Sequence, residues 1–315
     1  MKLKKKLNVR VVIVLLLVLF DTHFLSASSA KTLPAAQAIT VRTQFVNVKG
    51  VKFAYRRYGK KQGLPLVFIQ HLAGTMDNWD PAVLDGFAKD REVIIFDNAG
   101  ISSSEGRVPD NIADMANDAE SFINALGIKK IDLLGFSIGG MVAQQLTLDH
   151  PELIRRLVLV GTGPRGGEGM AVYKTSTLAM FDKKYAHPDE IFLETLFDPS
   201  PTSQAAGRAF LERIRARKIK EPAVSDEVAK NQIHAIYAWG APAENSFAYL
   251  KEIKQPVLVV SGHTDVILPS VNSFILQQNL PNAFLIVYPD SNHGPHDRFP
   301  NLFVKQVSMF LDGVK

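Results

Sequence analysis

Six short runs of this chain are apolar almost without a break: residues 64–70 (LPLVFIQ), 92–96 (EVIIF), 130–134 (KIDLL), 157–160 (LVLV), 256–261 (PVLVVS) and 284–288 (FLIVY). A strand with one wet face alternates apolar and polar side chains. Runs that do not alternate belong to strands covered on both faces, as in a parallel sheet. Helix signals lie between them. Asp80-Pro81 reads as an N-cap followed by proline in the first turn. Asp110 is placed to cap a helix on which Ile112, Met115, Ala119, Phe122, Ile123 and Leu126 recur at helical spacing, with Gly127 at its end. A later helix, starting near Gly140, must stop near His150, because Pro151 disfavours helical backbone before itself. The alternation predicts an α/β fold: a doubly wound, mostly parallel sheet with helices on both faces. A hairpin from 43–48 to 51–57, across Lys49-Gly50, precedes the sheet proper.

The rhythm breaks over 163–247. No strand-like run occurs there, but amphipathic segments do, at 190–197, 205–217 and 226–239. The expected organisation is a core in two parts, 31–162 and 248–315, separated by a helical lid at 163–247.

Residues 1–30 read as a secretory signal: Lys2, Lys4, Lys5, Lys6 and Arg10, then ten apolar residues from Val11 to Phe20, then small residues around Ser28-Ser29-Ala30. Cleavage is expected after Ala30 or after Ala38. An uncleaved anchor is the rival, but ten helical residues rise only about 15 Å against roughly 30 Å of hydrocarbon. The leader holds five basic residues and one acidic, so the remainder carries 31 basic against 30 acidic. The formal net charge of +5 therefore gives no ground for a nucleic-acid partner, and no membrane association is expected after cleavage. The chain has no cysteine, which rules out disulfides and a lipid-modified cysteine terminus. The expected location is periplasmic or secreted. Oligomeric state is not legible.

Gly135-Phe136-Ser137-Ile138-Gly139 fits Gly-x-Ser-x-Gly, between a buried strand and a helix. Alone the pattern is weak, since a serine there can simply cap the helix. In this setting a sharp strand-to-helix turn strains the serine backbone, and flanking glycines remove the Cβ atoms that would clash. A serine hydroxyl needs a base. His293 follows the strand at 284–288, at the carboxyl end where sites in open parallel sheets collect. His296 is its rival. The base needs a buried carboxylate to fix its tautomer. Asp265 follows the strand at 256–261; Asp290 and Asp297 lie too near His293 along the chain and read as turn or surface residues. The N–H of Ile138 is a first oxyanion donor, and the loop 70–75 should supply a second. No His/Cys/Asp cluster has metal-ligand spacing, so no metal or other cofactor is expected.

The segments PLVFIQHLAGTMDNW, VIIFDNAGISSSEG, LLGFSIGGMVAQQLTLDHPELIRRLVLVGT, PVLVVSGHTDVILP and YPDSNHGPHDRFP, in this order, resemble the α/β-hydrolase superfamily. Within it the chain is similar to small bacterial esterases and to cofactor-free, non-haem haloperoxidase (perhydrolase) relatives. The resemblance spans nearly all of the sequence after the leader. It implies a triad in the chain order Ser137, Asp265, His293. It also implies a second oxyanion donor at Leu72, or at Ala73 if the loop is shifted by one. Members usually carry His-Gly in that loop; here the pair is Gln70-His71, which puts the loop's conformation in question. By the same resemblance, 97–106 is a turn beside the site.

The function these observations imply is a serine hydrolase that cleaves a small carboxylic ester or related acyl compound through an acyl-enzyme on Ser137. Peroxide replacing water would give perhydrolysis as a side reaction. His71, Phe136 and Trp239 are candidate pocket residues, with Met170, Phe181, Phe192, Phe197 and Tyr237, and they point to an apolar substrate group. Arg213, Arg215, Arg217, Lys218 and Lys220 read as a solvated helix face. Dehalogenases and epoxide hydrolases of this fold need Asp in place of Ser137, and prolyl aminopeptidases a glycine-rich oxyanion loop. A lactonase, a carbon–carbon bond hydrolase and a non-catalytic binding protein on the same scaffold remain alternatives.

Overall fold

The computed structural model describes residues 37–313, so the leader and a cut after Ala30 lie outside the described residues. Eight strands form one sheet: β1 Gln44–Val48, β2 Val51–Gly59, β3 Leu66–Ile69, β4 Glu92–Phe96, β5 Ile131–Phe136, β6 Ile154–Val160, β7 Val257–Gly262 and β8 Ala283–Tyr288. Their spatial order is β1-β2-β4-β3-β5-β6-β7-β8. The β1–β2 and β2–β4 pairs are antiparallel, and every pair from β4 to β8 is parallel. The chain runs outward from β3 to β4, then returns to place β5 on the other side of β3. The order reverses at that point, and the loops leaving β3 and β5 flank the resulting crevice.

Helices α1 Gln37–Thr40, α2 Pro81–Ala88, α3 Ile112–Ala125 and α4 Ile138–Asp149 precede β6. Between β6 and β7 come α5 Thr175–Asp182, α6 Ile191–Thr195, α7 Pro201–Arg215 and α8 Asp226–Gly240; α9 Val271–Asn279, α10 Pro295–Arg298 and α11 Pro300–Asp312 complete the chain. The period of two along each strand splits the core. Val67, Ile94, Leu133, Leu159 and Val259 join one cluster with residues of α3 and α4. Leu66, Phe68, Leu134, Val158 and Val260 join another with residues of α2 and α11. Both faces are covered, which is why the strands read as unbroken apolar runs. Each fully buried Leu, Ile or Phe is worth roughly 1.5–3 kcal/mol over an exposed one.

Local details depart from expectation. The N-cap of α3 is Asn111, whose side chain accepts from the Asp114 amide at 2.8 Å, and not Asp110. Helix α4 begins at Ile138, directly after the serine, and α5 lies outside the amphipathic segments 190–197, 205–217 and 226–239. The basic run is not a solvated face. Arg213 makes two bonds to the fully buried Asp80, at 2.7 and 2.6 Å. Arg215 clasps Asp189 at 2.7 and 2.5 Å, and Arg217 is buried 3.3 Å from Asp77. Only part of the run faces water, because acids from the sheet side and from the segment's own loops meet it. Ala38 is packed too: its N–H donates to Asp85 at 2.8 Å.

Candidate active site

Ser137 sits between β5 and α4 with φ 58° and ψ −122°, a left-handed conformation that a non-glycine residue rarely holds. The glycines around it are needed for close approach. A Cβ on Gly135 would lie 2.3 Å from the Gly139 oxygen, and one on Gly139 would lie 2.2 Å from the Ile69 oxygen. The tight turn leaves Ile138 at the first position of α4, where an amide has no carbonyl partner within its helix.

Asp265 follows β7 and His293 follows β8. His293 Nδ1 donates to Asp265 Oδ2 at 2.7 Å, and Asp265 Oδ1 accepts the amides of Ile267 and Leu268, both at 2.9 Å. The carboxylate is thereby fixed beside the imidazole, whose Nε2 is left free to act as an acceptor. The two loops are pressed together: a Cβ on Gly262 would lie 1.8 Å from the Asn292 oxygen. Asn292 locks them further. Its Oδ1 accepts from Val266 at 2.9 Å, and its Nδ2 donates to the Glu194 carbonyl at 3.1 Å. The His293 and Gly294 amides donate to Thr195 and Leu196 at 3.2 and 3.1 Å. The segment between β6 and β7 thus grips the histidine loop. Asn292 carried no sequence signal beyond its place beside His293.

Ser137 and His293 open into one cavity of about 1020 Å³, together with His71 and Leu72. Its walls come largely from the inserted segment, through Tyr173, Phe181, Ile191, Phe192, Val224 and Ile233. The outcome for the expected pocket residues is mixed. His71, Phe181 and Phe192 line the cavity; Tyr173 does so unforeseen. Trp239 does not: it is buried, donates to the Gly163 carbonyl at 3.2 Å and lies against the Arg165 guanidinium. Phe136 does not line it either. Its ring is buried beneath the site, 5.0 Å from that of His293 and 4.4 Å from that of His296. The side chain after the first glycine must point back into the sheet if the serine is to point out. Met170 and Phe197 are core residues, and the Tyr237 hydroxyl accepts from the Tyr173 amide at 3.2 Å.

His296 is buried among Trp79, Phe136 and Phe303, away from the cavity, and burial pushes its imidazole down to about 3. Burial likewise pushes His71 down to about 4, so it is neutral, and its Nδ1 lies 2.9 Å from the Leu72 carbonyl. Asp290 bonds Ser200, Thr202 and Arg298 at a turn, as expected. Asp297 is buried, not on the surface, and burial holds its carboxyl well above the usual range. In loop 70–75 the Gln70 side chain accepts from His71 and donates to the Thr75 carbonyl, both at 2.9 Å. The Ala73 amide donates to Gln232 Oε1 at 2.6 Å, so Leu72 carries the loop's unclaimed amide beside the cavity. Among the described residues no group of three or more His, Cys, Asp or Glu is placed to hold a metal ion.

The family described as alpha/beta hydrolase fold matches residues 65–300, and this chain belongs to it. It is 38% identical to an alpha/beta hydrolase fold protein from Chitinophaga pinensis, with a TM-score of 0.83, over 88% of this chain and 99% of that one. A Mycobacterium tuberculosis relative named, provisionally, as the non-heme bromoperoxidase BpoC is 27% identical over 240 residues, 73% of this chain and 87% of that protein. Est816, whose structure is titled as an N-acyl homoserine lactone degrading enzyme, is 26% identical with a TM-score of 0.65, over 85% of this chain and 100% of its own.

Proposed function

We propose that this α/β hydrolase cleaves a carboxylic ester through an acyl-enzyme on Ser137. The observation that carries the reading is that His293, hydrogen-bonded to Asp265, lines one cavity together with Ser137. Ser137 Oγ attacks the carbonyl while His293 Nε2 takes its proton, and Asp265 steadies the imidazolium. The amides of Ile138 and Leu72 hold the oxyanion. His293 then protonates the leaving alcohol; in the second half it takes a proton from the water that attacks the acyl carbon and gives it to Ser137 Oγ as the ester bond to the serine breaks and the acid leaves. The apolar walls suit an aliphatic or aromatic acyl or alcohol group, with the segment 163–247 acting as a lid. A lactone is a cyclic ester, and the likeness to Est816 supports lactone opening by the same steps as a second reading. We read residues 1–30 as an export signal. The packing of Ala38 supports a cut after Ala30, since a cut after Ala38 would remove a buried residue.

The test is hydrolysis of p-nitrophenyl esters, acetate to laurate, by the protein lacking residues 1–30 and by its Ser137→Ala variant. Turnover that falls at least roughly 10³-fold in the variant is expected. Turnover that survives the substitution overturns the acyl-enzyme. A folded protein inactive on every chain length and on acyl lactones overturns the esterase reading.

A further inference from the structure

The oxyanion loop makes a left-handed turn at a residue that is not glycine. Ala73 has φ 52°, a conformation that an L-residue with a Cβ holds only when its surroundings impose it. One side chain from outside the loop is hydrogen-bonded to that residue. Gln232 is 1% exposed and lies on α8, and its Oε1 accepts the Ala73 amide at 2.6 Å. The bond joins residues 159 apart in sequence. It consumes the one alternative donor of the loop and fixes the peptide next to Leu72. Ala229 and Ile233, three residues before and one after Gln232, line the cavity from the same helix.

We propose that Gln232 is a positioning residue for the oxyanion hole: by holding the strained Ala73 amide it aims the Leu72 N–H at the developing oxyanion. This rests on the esterase reading above. Gln232 touches no reacting atom. Its work is to make the inserted helix α8 part of the hole's frame, in place of the conformational freedom that a glycine would supply. Without the acceptor, Ala73 relaxes toward negative φ, and the Leu72 amide swings with it. The ground-state ester, held by the apolar walls, binds as before. The loss therefore falls on the transition state.

The experiment compares wild type, Gln232→Met, Gln232→Leu, Ala73→Gly and the Ala73→Gly/Gln232→Met double variant on p-nitrophenyl butyrate, with the thermal midpoint of each. Deleting an oxyanion donor costs roughly 10²–10³ in kcat, and misaiming one costs less. The expected result is a kcat roughly ten- to a hundredfold lower in Gln232→Met and Gln232→Leu, with KM within about twofold. Inhibition by an alkyl trifluoromethyl ketone, which forms an oxyanion on the serine, should weaken in parallel. Glycine adopts positive φ at no steric cost, so the double variant should recover at least several-fold in kcat. A kcat unchanged in the Gln232 variants, a loss confined to KM or to the thermal midpoint, or a double variant no better than Gln232→Met overturns the proposal. Two replacements of different shape keep the test alive if one fails to fold. Wild-type turnover that disappears in Ser137→Ala upholds the underlying reading whichever way Gln232 behaves.

Discussion

The sheet and the helical segment inserted between β6 and β7 share one apolar core but are tied into it differently. The strands are joined by ladders of backbone bonds, and their side chains vanish into two apolar layers. The inserted segment joins both apolar layers, through Tyr173, Ile236 and Trp239 in one and Phe197, Phe210 and Ile214 in the other, and it is tied to the strand ends by side-chain clasps: Arg213 on Asp80, Glu221 and Asp77 around the buried Arg56, and Gln232 on Ala73. The first region fixes where Ser137, Asp265 and His293 stand. The second supplies most of the cavity wall. Damage to strand-end groups should therefore appear in kcat, and damage to the insertion, Gln232 excepted, in substrate preference or in stability.

The largest expected effect lies at the sheet. Asp265→Asn keeps an oxygen for the Ile267 and Leu268 amides but turns an NH2 toward His293 Nδ1. The imidazole is then driven to the wrong tautomer, and kcat for p-nitrophenyl butyrate should fall about 10⁴-fold with KM little changed. A loss under tenfold would mean that Asp265 is structural only.

The clasps come next. Asp80 is fully buried, caps α2 through the Ala82 amide at 2.8 Å and receives both Arg213 bonds. Asp80→Ala leaves Arg213 facing an empty acceptor and should cost about 3–5 kcal/mol in urea unfolding. Arg215→Ala breaks the pair with Asp189, where the guanidinium side chain is 41% exposed, and should cost no more than about 1 kcal/mol. Equal costs would show that burial does not grade these clasps.

The contrast also explains what could be read from the sequence. The strands announce themselves, because burial on both faces forces unbroken apolar runs, and Ser137 does so because a sharp turn forces glycines at 135 and 139. Asp265 and His293 are legible from their places after β7 and β8. The insertion is not, since its contacts join distant segments. Nothing local tells that Arg213 and Arg217 turn inward, that Trp239 packs away from the cavity, or that Gln232 reaches Ala73. Phe136 was misplaced for another reason: adjacency to Ser137 along the chain is not adjacency in space at a turn.

A pH effect of intermediate size belongs to the sheet. Asp97 follows β4; its Oδ1 accepts from the Met76 amide at 2.8 Å, and its Oδ2 is buried without a partner. Burial pushes this carboxyl up to about 8. The native state therefore keeps a proton that the unfolded chain releases near pH 4. Stability from this group is complete below that value and drains away as pH rises toward 8. Asp97→Asn retains the amide bond and cannot ionise, so the variant should gain on wild type between pH 5 and 8, by roughly 2–4 kcal/mol. His71 and His296, both depressed by burial, act in the opposite sense and cost stability as pH falls below about 6.5. Urea midpoints of both proteins at pH 5 and pH 8 measure the difference. Parallel pH profiles would place the ionised form in the native state.

The smallest effect tests the division itself. Phe192 lines the cavity from α6, and its ring lies 5.6 Å from that of His71 and 5.9 Å from that of Phe210. An acetyl group is too short to reach far beyond Ser137, whereas an octanoyl chain must run along the apolar wall. Phe192→Ala should raise KM for p-nitrophenyl octanoate about tenfold, the value of one lost ring contact of about 1.4 kcal/mol, and leave the acetate within twofold. If kcat falls alike for both esters, Phe192 acts through His71 on the oxyanion loop. The insertion would then belong to the chemistry at that point too, as Gln232 is proposed to make it at Ala73, and the separation of catalytic sheet from selective wall would fail where the two meet.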